Sequence, residues 1–321
     1  MNILITGATG FVGSALCRTL TAQNHTVRAI ARSRTHHLPA TVQPLLTDIL
    51  TTPLAKENLT DMEAIIYLAA RVHQMKDQVA DPLTAYRDIN TRAAATLART
   101  AAAAGIRRFI YLSSIKVNGE GQGISLDCQH PPYTEESLPQ PQDPYAQSKW
   151  EAEQELLQIA RETGLEVVIL RPPLVYGPQV KANFLKLLDI IKSGFPLPLA
   201  QVKNHRSLLY RGNLIDAIMT CLTHPNATNQ TFLLSDGEDL STPELVSCLA
   251  IALKTSPRLF SCPPHWLQGL AKVIGKTSTI DRLLGSLKIN SSKIRQTLNW
   301  QPPFSVKEGL QVTADWYLDS R

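Results

Sequence analysis

Short apolar runs alternate with longer amphipathic stretches along the first half of the chain. Residues 2–5, Asn-Ile-Leu-Ile, are short enough for a strand and lead into a helix-like stretch at 14–23. Residues 26–30 make a second strand, 42–47 a third and 64–69 a fourth. A long alanine-rich helix is predicted over 81–104, ended by Gly105, and a fifth strand over 107–113. Asp143 and Pro144 cap a helix that runs to about Thr163, and residues 167–170 form a further strand. Strands and helices in alternation are the pattern of a parallel sheet covered on both faces. Between them, residues 118–143 are rich in Gly, Pro and polar side chains and read as a long surface loop placed to cover a substrate.

The join between the first strand and helix carries Thr6-Gly7-Ala8-Thr9-Gly10-Phe11-Val12-Gly13. Gly7 permits a tight turn, Gly10 lets the backbone approach a pyrophosphate, and Gly13 lets the helix pack closely on the strand. The unpaired amides and dipole of the following helix favour an anion there, so Gly7, Thr9, Gly10, Phe11, Val12 and Gly13 are candidate dinucleotide contacts. The spacing is G-x-x-G-x-x-G rather than the commoner G-x-G-x-x-G. Where many such folds carry an acid for the ribose of NAD, the second strand ends in Ala31-Arg32-Ser33-Arg34. Arg32 offers a charge-assisted fork to a 2′ phosphate, so NADP(H) is the expected cofactor, with NAD(H) as an alternative. Asp48 ends the third strand in a place suited to the adenine amino group. Leu68, Ala69 and Ala70 let the chain pass close to a ligand at the end of the fourth.

Tyr145 and Lys149 lie four residues apart at the start of the capped helix and so share a face. The Lys149 charge is expected to lower the Tyr145 phenol from its ordinary value of about 10, making it an acid or base usable near neutrality. Ser113 and Ser114 end the preceding strand, where a hydroxyl can share the oxygen that Tyr145 protonates.

Composition narrows the classes. The chain has 321 residues, 44% hydrophobic and 18% charged, an ordinary globular balance. A net charge of +5 without basic runs interleaved with aromatics excludes nucleic acid as an expected partner. Cys17, Cys128, Cys221, Cys248 and Cys262 are scattered and free of C-x-x-C pairs, so they read as reduced thiols. His36 and His37 have no further ligand at metal spacing, and no metal site is expected. With no leader pattern and no apolar stretch near the ~20 residues of a membrane span, the expected location is cytoplasmic, with no membrane partner.

Taken together, the glycine turn, Asp48, Asn90, Tyr111-Leu112-Ser113-Ser114, Pro144-Tyr145 with Lys149, and Arg171-Pro172-Pro173-Leu174-Val175-Tyr176-Gly177-Pro178 resemble the extended short-chain dehydrogenase/reductase family across nearly the whole chain. The resemblance implies a doubly wound parallel Rossmann sheet in residues 1–170. It also implies a smaller C-terminal α/β substrate domain, mainly residues 171–321, with 205–224 returning to the first unit. Ser114 and Tyr145 would stand at the hydride site, Lys149 on the nicotinamide ribose, Pro172 and Pro173 along the nicotinamide pocket, and Asn90 among the cofactor residues. From the nucleotide-sugar branch, Arg206 is the expected grip on a substrate diphosphate, Arg282 a second phosphate arginine and Asn183 a substrate asparagine. The helices 81–104 and 144–163 would pair with their copies in a homodimer, unless the alanine face from Ala93 to Ala103 packs within one chain.

Sugar 4,6-dehydratases of that family need an Asp-Glu pair after the catalytic hydroxyl residue, and here Ile115 and Lys116 follow Ser114. Two enzymatic expectations remain. The leading one is NADPH-dependent reduction of the 4-keto group of a UDP-6-deoxy-N-acetylhexosamine for surface polysaccharide. The alternative is a UDP-hexose 4-epimerase that retains NAD, and a more distant one is a non-catalytic NAD(P) sensor.

Overall fold

The computed structural model describes residues 1–33, 38–72, 81–121, 131–263, 266–267, 269, 281 and 283–320. Strands β1 (Asn2–Thr6), β2 (Thr26–Ala31), β3 (Gln43–Leu46), β4 (Ala64–Tyr67), β5 (Arg108–Leu112) and β6 (Glu166–Arg171) come first along the chain. They are followed by β7 (Leu174–Tyr176), β8 (Arg206–Tyr210), β9 (Thr231–Leu233) and β10 (Asp239–Leu240). Seven of them form one sheet in the order β3-β2-β1-β4-β5-β6-β9, every pair parallel. The order reverses at β1, whose two neighbours are β2 and β4. That reversal opens the crevice at the carboxyl ends where ligands bind in such sheets.

The unbroken apolar runs of the sequence reflect a sheet buried on both faces. Alternate residues of one strand enter different cores: Ile3 and Ile5 face the layer of α1 (Gly13–Ala22), whereas Leu4 faces the opposite layer. The second layer consists chiefly of α2 (Pro82–Arg87), α3 (Ala93–Ala103) and α4 (Pro144–Thr163). There Ala94, Ala98 and Ala101 pack with Ala152, Leu156 and Ile159, so the alanine face is consumed within the chain.

Expected boundaries are met most closely at α4. Asp143 Oδ1 accepts from Ala146 N at 2.7 Å, Pro144 occupies the first turn, and Gly164 closes the helix at φ 77°. The helix expected over 81–104 departs from a single regular element. A π-turn, Asp88–Arg92, lies between α2 and α3 and contains Asn90.

Beyond residue 171 the chain builds a second, three-stranded sheet, β10-β8-β7, with α5 (Ala182–Lys192). It then forms α6 (Arg211–Thr223), α7 (Thr242–Ala252), α8 (Ser292–Leu298) and α9 (Val306–Asp319). Tyr176, Phe184, Leu188, Tyr210, Leu249 and Leu310 make this unit's core. Within residues 205–224, β8 belongs to the small sheet and α6 to the α1 layer of the large one. β9 supplies the large sheet's edge strand, and Ile294 and Leu298 of α8 join the same core as α6.

Candidate active site

The glycine turn is built for close approach. Gly7 has φ 68°, and a Cβ there would lie 2.8 Å from Ala69 N; at Gly13 a Cβ would meet Gly7 O at 2.2 Å. Thr6 Oγ1 accepts from Leu68 N at 3.1 Å and Ala69 N at 3.0 Å, which ties the ends of β1 and β4 together beside the turn. Val12 precedes α1 with no side-chain cap, and the first turn carries no acid. Thr9 and Gly10 are exposed beside this helix end. A phosphate group fits these features without competition from the protein's own anions. Arg32 is exposed immediately after β2, and Asp48 follows β3 with Oδ1 accepting Leu50 N at 3.0 Å.

Asn90 is fully buried and makes three bonds. Its Oδ1 accepts Arg71 N at 3.0 Å, and its Nδ2 donates to Arg71 O at 3.2 Å and to Ser148 Oγ at 2.9 Å. The π-turn leaves carbonyls outside the regular helical ladder, and two sheet tyrosines take them. Tyr67 Oη donates to Ile89 O at 2.7 Å and Tyr111 Oη to Asn90 O at 2.9 Å. Asn90 thereby fixes the chain after Leu68, Ala69 and Ala70 and locks it to the first turn of α4.

Ser114, Tyr145 and Lys149 meet at the carboxyl end of β5. The Tyr145 hydroxyl is hydrogen-bonded to the Ser114 side chain. Lys149 Nζ donates to Leu112 O at 2.8 Å and lies 4.4 Å from the Tyr111 ring centroid and 6.0 Å from that of Tyr145. Burial pulls the Lys149 ammonium down to about 7, opposed by the Glu153 charge. Burial, and next the Asp143 charge, push Tyr145 above its ordinary range, while the Ser114 bond opposes them. The expected lowering of Tyr145 by Lys149 is therefore corrected. The ammonium is engaged by a backbone carbonyl, and desolvation dominates the phenol.

Other candidates fall elsewhere. Ser113 donates to Glu153 Oε1 at 2.5 Å, and Pro172, buried, accepts Ile115 N at 2.9 Å through its carbonyl. Asn183 is exposed on the first turn of α5, and Arg206 on β8 donates to Gly285 O at 2.9 Å. Arg282, like Cys128, His36 and His37, lies outside the described residues. Sequence reasoning missed Glu153, although it stands one helical turn beyond Lys149, a spacing that could have found it. It also missed Arg211, whose guanidinium lies 4.8 Å from the Phe11 ring centroid and donates to Phe11 O at 3.2 Å. No helix among the described residues is long and apolar enough to cross a membrane.

A doubly wound sheet with a phosphate-accepting glycine turn and a Ser-Tyr-Lys group at its carboxyl edge defines a dinucleotide-dependent enzyme. Residues 3–234 match the NAD dependent epimerase/dehydratase family, and the chain belongs to it. The chain is 41% identical over 323 residues to a UDP-glucose 4-epimerase of Vibrio cholerae, covering 99% of this chain and 96% of that one. It is 24% identical to an N-acetyl-alpha-D-glucosaminyl-diphospho-ditrans,octacis-undecaprenol 4-epimerase of Escherichia coli O157:H7, covering 98% and 95%. The same fold occurs in the UDP-glucuronic acid 4-epimerase of Bacillus cereus in complex with NAD, with TM-score 0.78, 23% identity and coverage of 98% and 96%.

The Vibrio relative overturns the leading expectation of a net 4-keto reductase, because near-full-length similarity at that identity is to an epimerase. The Ser114, Tyr145 and Lys149 pattern is the one expected for both chemistries and so could not decide between them. The family is NAD-dependent, and the expected preference for NADPH finds no support in these comparisons.

Proposed function

We propose that the protein is a UDP-hexose 4-epimerase that retains NAD through both half-reactions. The observation that carries this reading is the meeting of Ser114, Tyr145 and Lys149 beside a glycine turn, in a chain 41% identical to a UDP-glucose 4-epimerase. NAD supplies a reversible hydride acceptor at the sugar's C4. As a phenolate, Tyr145 would take the proton from the 4-hydroxyl on oxidation at C4 and return it to the same oxygen on reduction. Ser114 shares the sugar oxygen with Tyr145. Lys149, its charge set by burial and Glu153, lies close enough to bias the phenol electrostatically once it is drawn from Leu112 O. Gly7, Gly10 and Gly13 would hold the pyrophosphate, Asp48 the adenine, and Leu68, Ala69, Ala70, Asn90 and Pro172 would frame the nicotinamide side. Arg206 and Asn183 act from the second unit on the UDP-sugar.

A dehydratase reading is disfavoured by the residues after Ser114. Ile115 is 3% exposed in a small apolar cluster, and Lys116 Nζ is taken by Glu120 and by Asp143 Oδ2 at 2.5 Å, so neither position offers an acid. With the alanine face packed within the chain, a cytoplasmic homodimer would have to pair through the outward faces of α3 and α4. The surface available there is polar, with Arg87 bound to Glu151 at 2.6 Å and Arg99 to Glu162 at 3.0 Å. Light scattering should then give a dimer, and a monomer would remove that part of the reading.

The deciding experiment offers purified protein UDP-glucose, UDP-galactose and their N-acetylated counterparts without added cofactor, with products identified by NMR. Interconversion at C4 is expected. Turnover that requires and consumes added cofactor would overturn the epimerase.

A further inference from the structure

Ser114 sits in a segment gripped at both ends by one buried ion pair. Glu153 on α4 is 1% exposed and Arg171 at the end of β6 is 4% exposed. Arg171 Nε donates to Glu153 Oε1 at 2.9 Å and Oε2 at 3.2 Å, and Arg171 Nη2 binds Oε2 as well. Each partner spends its remaining capacity on the segment between β5 and the surface loop. Glu153 Oε1 accepts Ser113 Oγ at 2.5 Å, and Arg171 Nη1 donates to Asn118 Oδ1 at 3.0 Å. Between those grips lie Ser114 and the short 3₁₀ turn Ile115–Val117.

We propose that the Glu153–Arg171 pair is a positioning device for Ser114, fixing both ends of the turn that presents its hydroxyl to Tyr145. A fully paired internal charge pair is costly to break from one side, which makes it a stiff clamp even where its net contribution to folding is small. The backbone adds Ser113 N to Leu170 O at 2.8 Å and Ile115 N to Pro172 O at 2.9 Å at the start of the turn and Gln140 N to Val117 O at 2.9 Å at its end, whereas the ion pair is the one element that reaches both ends through side chains. Asn118, fully buried, passes the hold outward, its Nδ2 donating to Thr134 O and Ser137 O at 3.3 Å each. The same α4 face holds the residue before the grip, since Lys149 bonds Leu112 O one turn ahead of Glu153. Leu112, Ser113 and Asn118 are thus anchored around Ser114, whose own side chain is left for Tyr145 and the Lys116 amide at 3.3 Å.

The inference rests on the proposed epimerase for its kinetic consequence, and its test separates the two. Hydrogen exchange over residues 113–118 reads the clamp without turnover. Glu153→Gln should speed exchange there by at least ~10-fold relative to α1, because it leaves Arg171 unbalanced; unchanged exchange would overturn the clamp. In kinetics, Glu153→Gln should lower kcat ~10–100-fold with KM within about twofold, the split expected of lost transition-state alignment. Adding Ser114→Ala to Glu153→Gln should then cost under ~3-fold more, although Ser114→Ala alone costs ~10-fold or more. Losses that simply multiply would show that Glu153 acts on stability alone. If Glu153→Gln does not fold, Ser113→Ala and Asn118→Leu release one grip each with the ion pair intact, and the same cycle with Ser114→Ala decides. Wild-type protein without C4 turnover refutes the epimerase and leaves the exchange result to judge the clamp.

Discussion

Lys149 Nζ donates to Leu112 O at 2.8 Å, which ties the ammonium to the end of β5. Its folded value, about 7, lies below the ordinary 10.5. Between those two pH values the unfolded chain holds a proton that the folded chain lacks, so stability falls as pH drops through the window. The penalty is complete below about pH 7 and vanishes above about 10.5. Lys149→Met should therefore raise the Tm of cofactor-free protein at pH 6 by ~5 °C while abolishing turnover, and the gain should shrink toward pH 10. A Tm difference that does not change with pH would remove ionisation as the cause.

In the proposed epimerisation, proton transfer at the sugar oxygen accompanies hydride transfer, and the role falls to the Tyr145 hydroxyl. Tyr145→Phe should lose at least ~100-fold in kcat while still binding NAD, measured by fluorescence titration. Ser114→Ala should lose less, because the proton carrier stays. A larger loss at Ser114 would exchange their roles.

The glycine turn makes a steric prediction. A methyl group at residue 13 would sit 2.2 Å from Gly7 O and 2.8 Å from Ala8 Cα, both backbone atoms that cannot step aside. Gly13→Ala should reduce NAD affinity by more than ~100-fold and cost ~1–3 kcal/mol of stability, read by calorimetry and denaturant titration. Near-normal binding would mean that the turn can move as a unit.

Arg32 is exposed directly after β2, and the 2′-phosphate contact expected of it from the sequence is open to direct test. Arg32→Asp should weaken NADP(H) binding ~30-fold or more, about 2 kcal/mol, and leave NAD(H) within a few-fold. Equal losses for both cofactors would show that Arg32 contacts neither 2′ substituent.

Much of this was legible in the chain because it depends on neighbours in sequence. Apolar runs gave the strands, Gly7 and Gly13 marked the turn, and Asp143-Pro144 marked the start of α4, whose end was expected at about Thr163. What escaped depends on partners joined only by folding. Glu153 and Arg171 are separated by the α4–β6 connection, Lys149 is held by a backbone carbonyl, and no side chain in the run from Pro82 to Ala103 announces a π-turn. The reaction was misjudged for a different reason. Ser114 with Tyr145 and Lys149 points to a hydride site, and such a site is expected alike in enzymes that return the hydride and enzymes that do not.

The π-turn also makes helix length itself a functional variable. One extra residue in a turn puts α2 and α3 out of phase by about 100°, so each presents its own side to α4. Arg87, ahead of the turn, reaches Glu151, while Ala94 and Ala98, behind it, meet the Ala152 and Leu156 face. Deleting Ile89 would restore an unbroken helix of good composition and rotate one of those contact sets away from its partner, taking Asn90 off Arg71 and Ser148. A single lost codon there should silence the enzyme, whereas many substitutions on the outward side of the same helix should pass unnoticed.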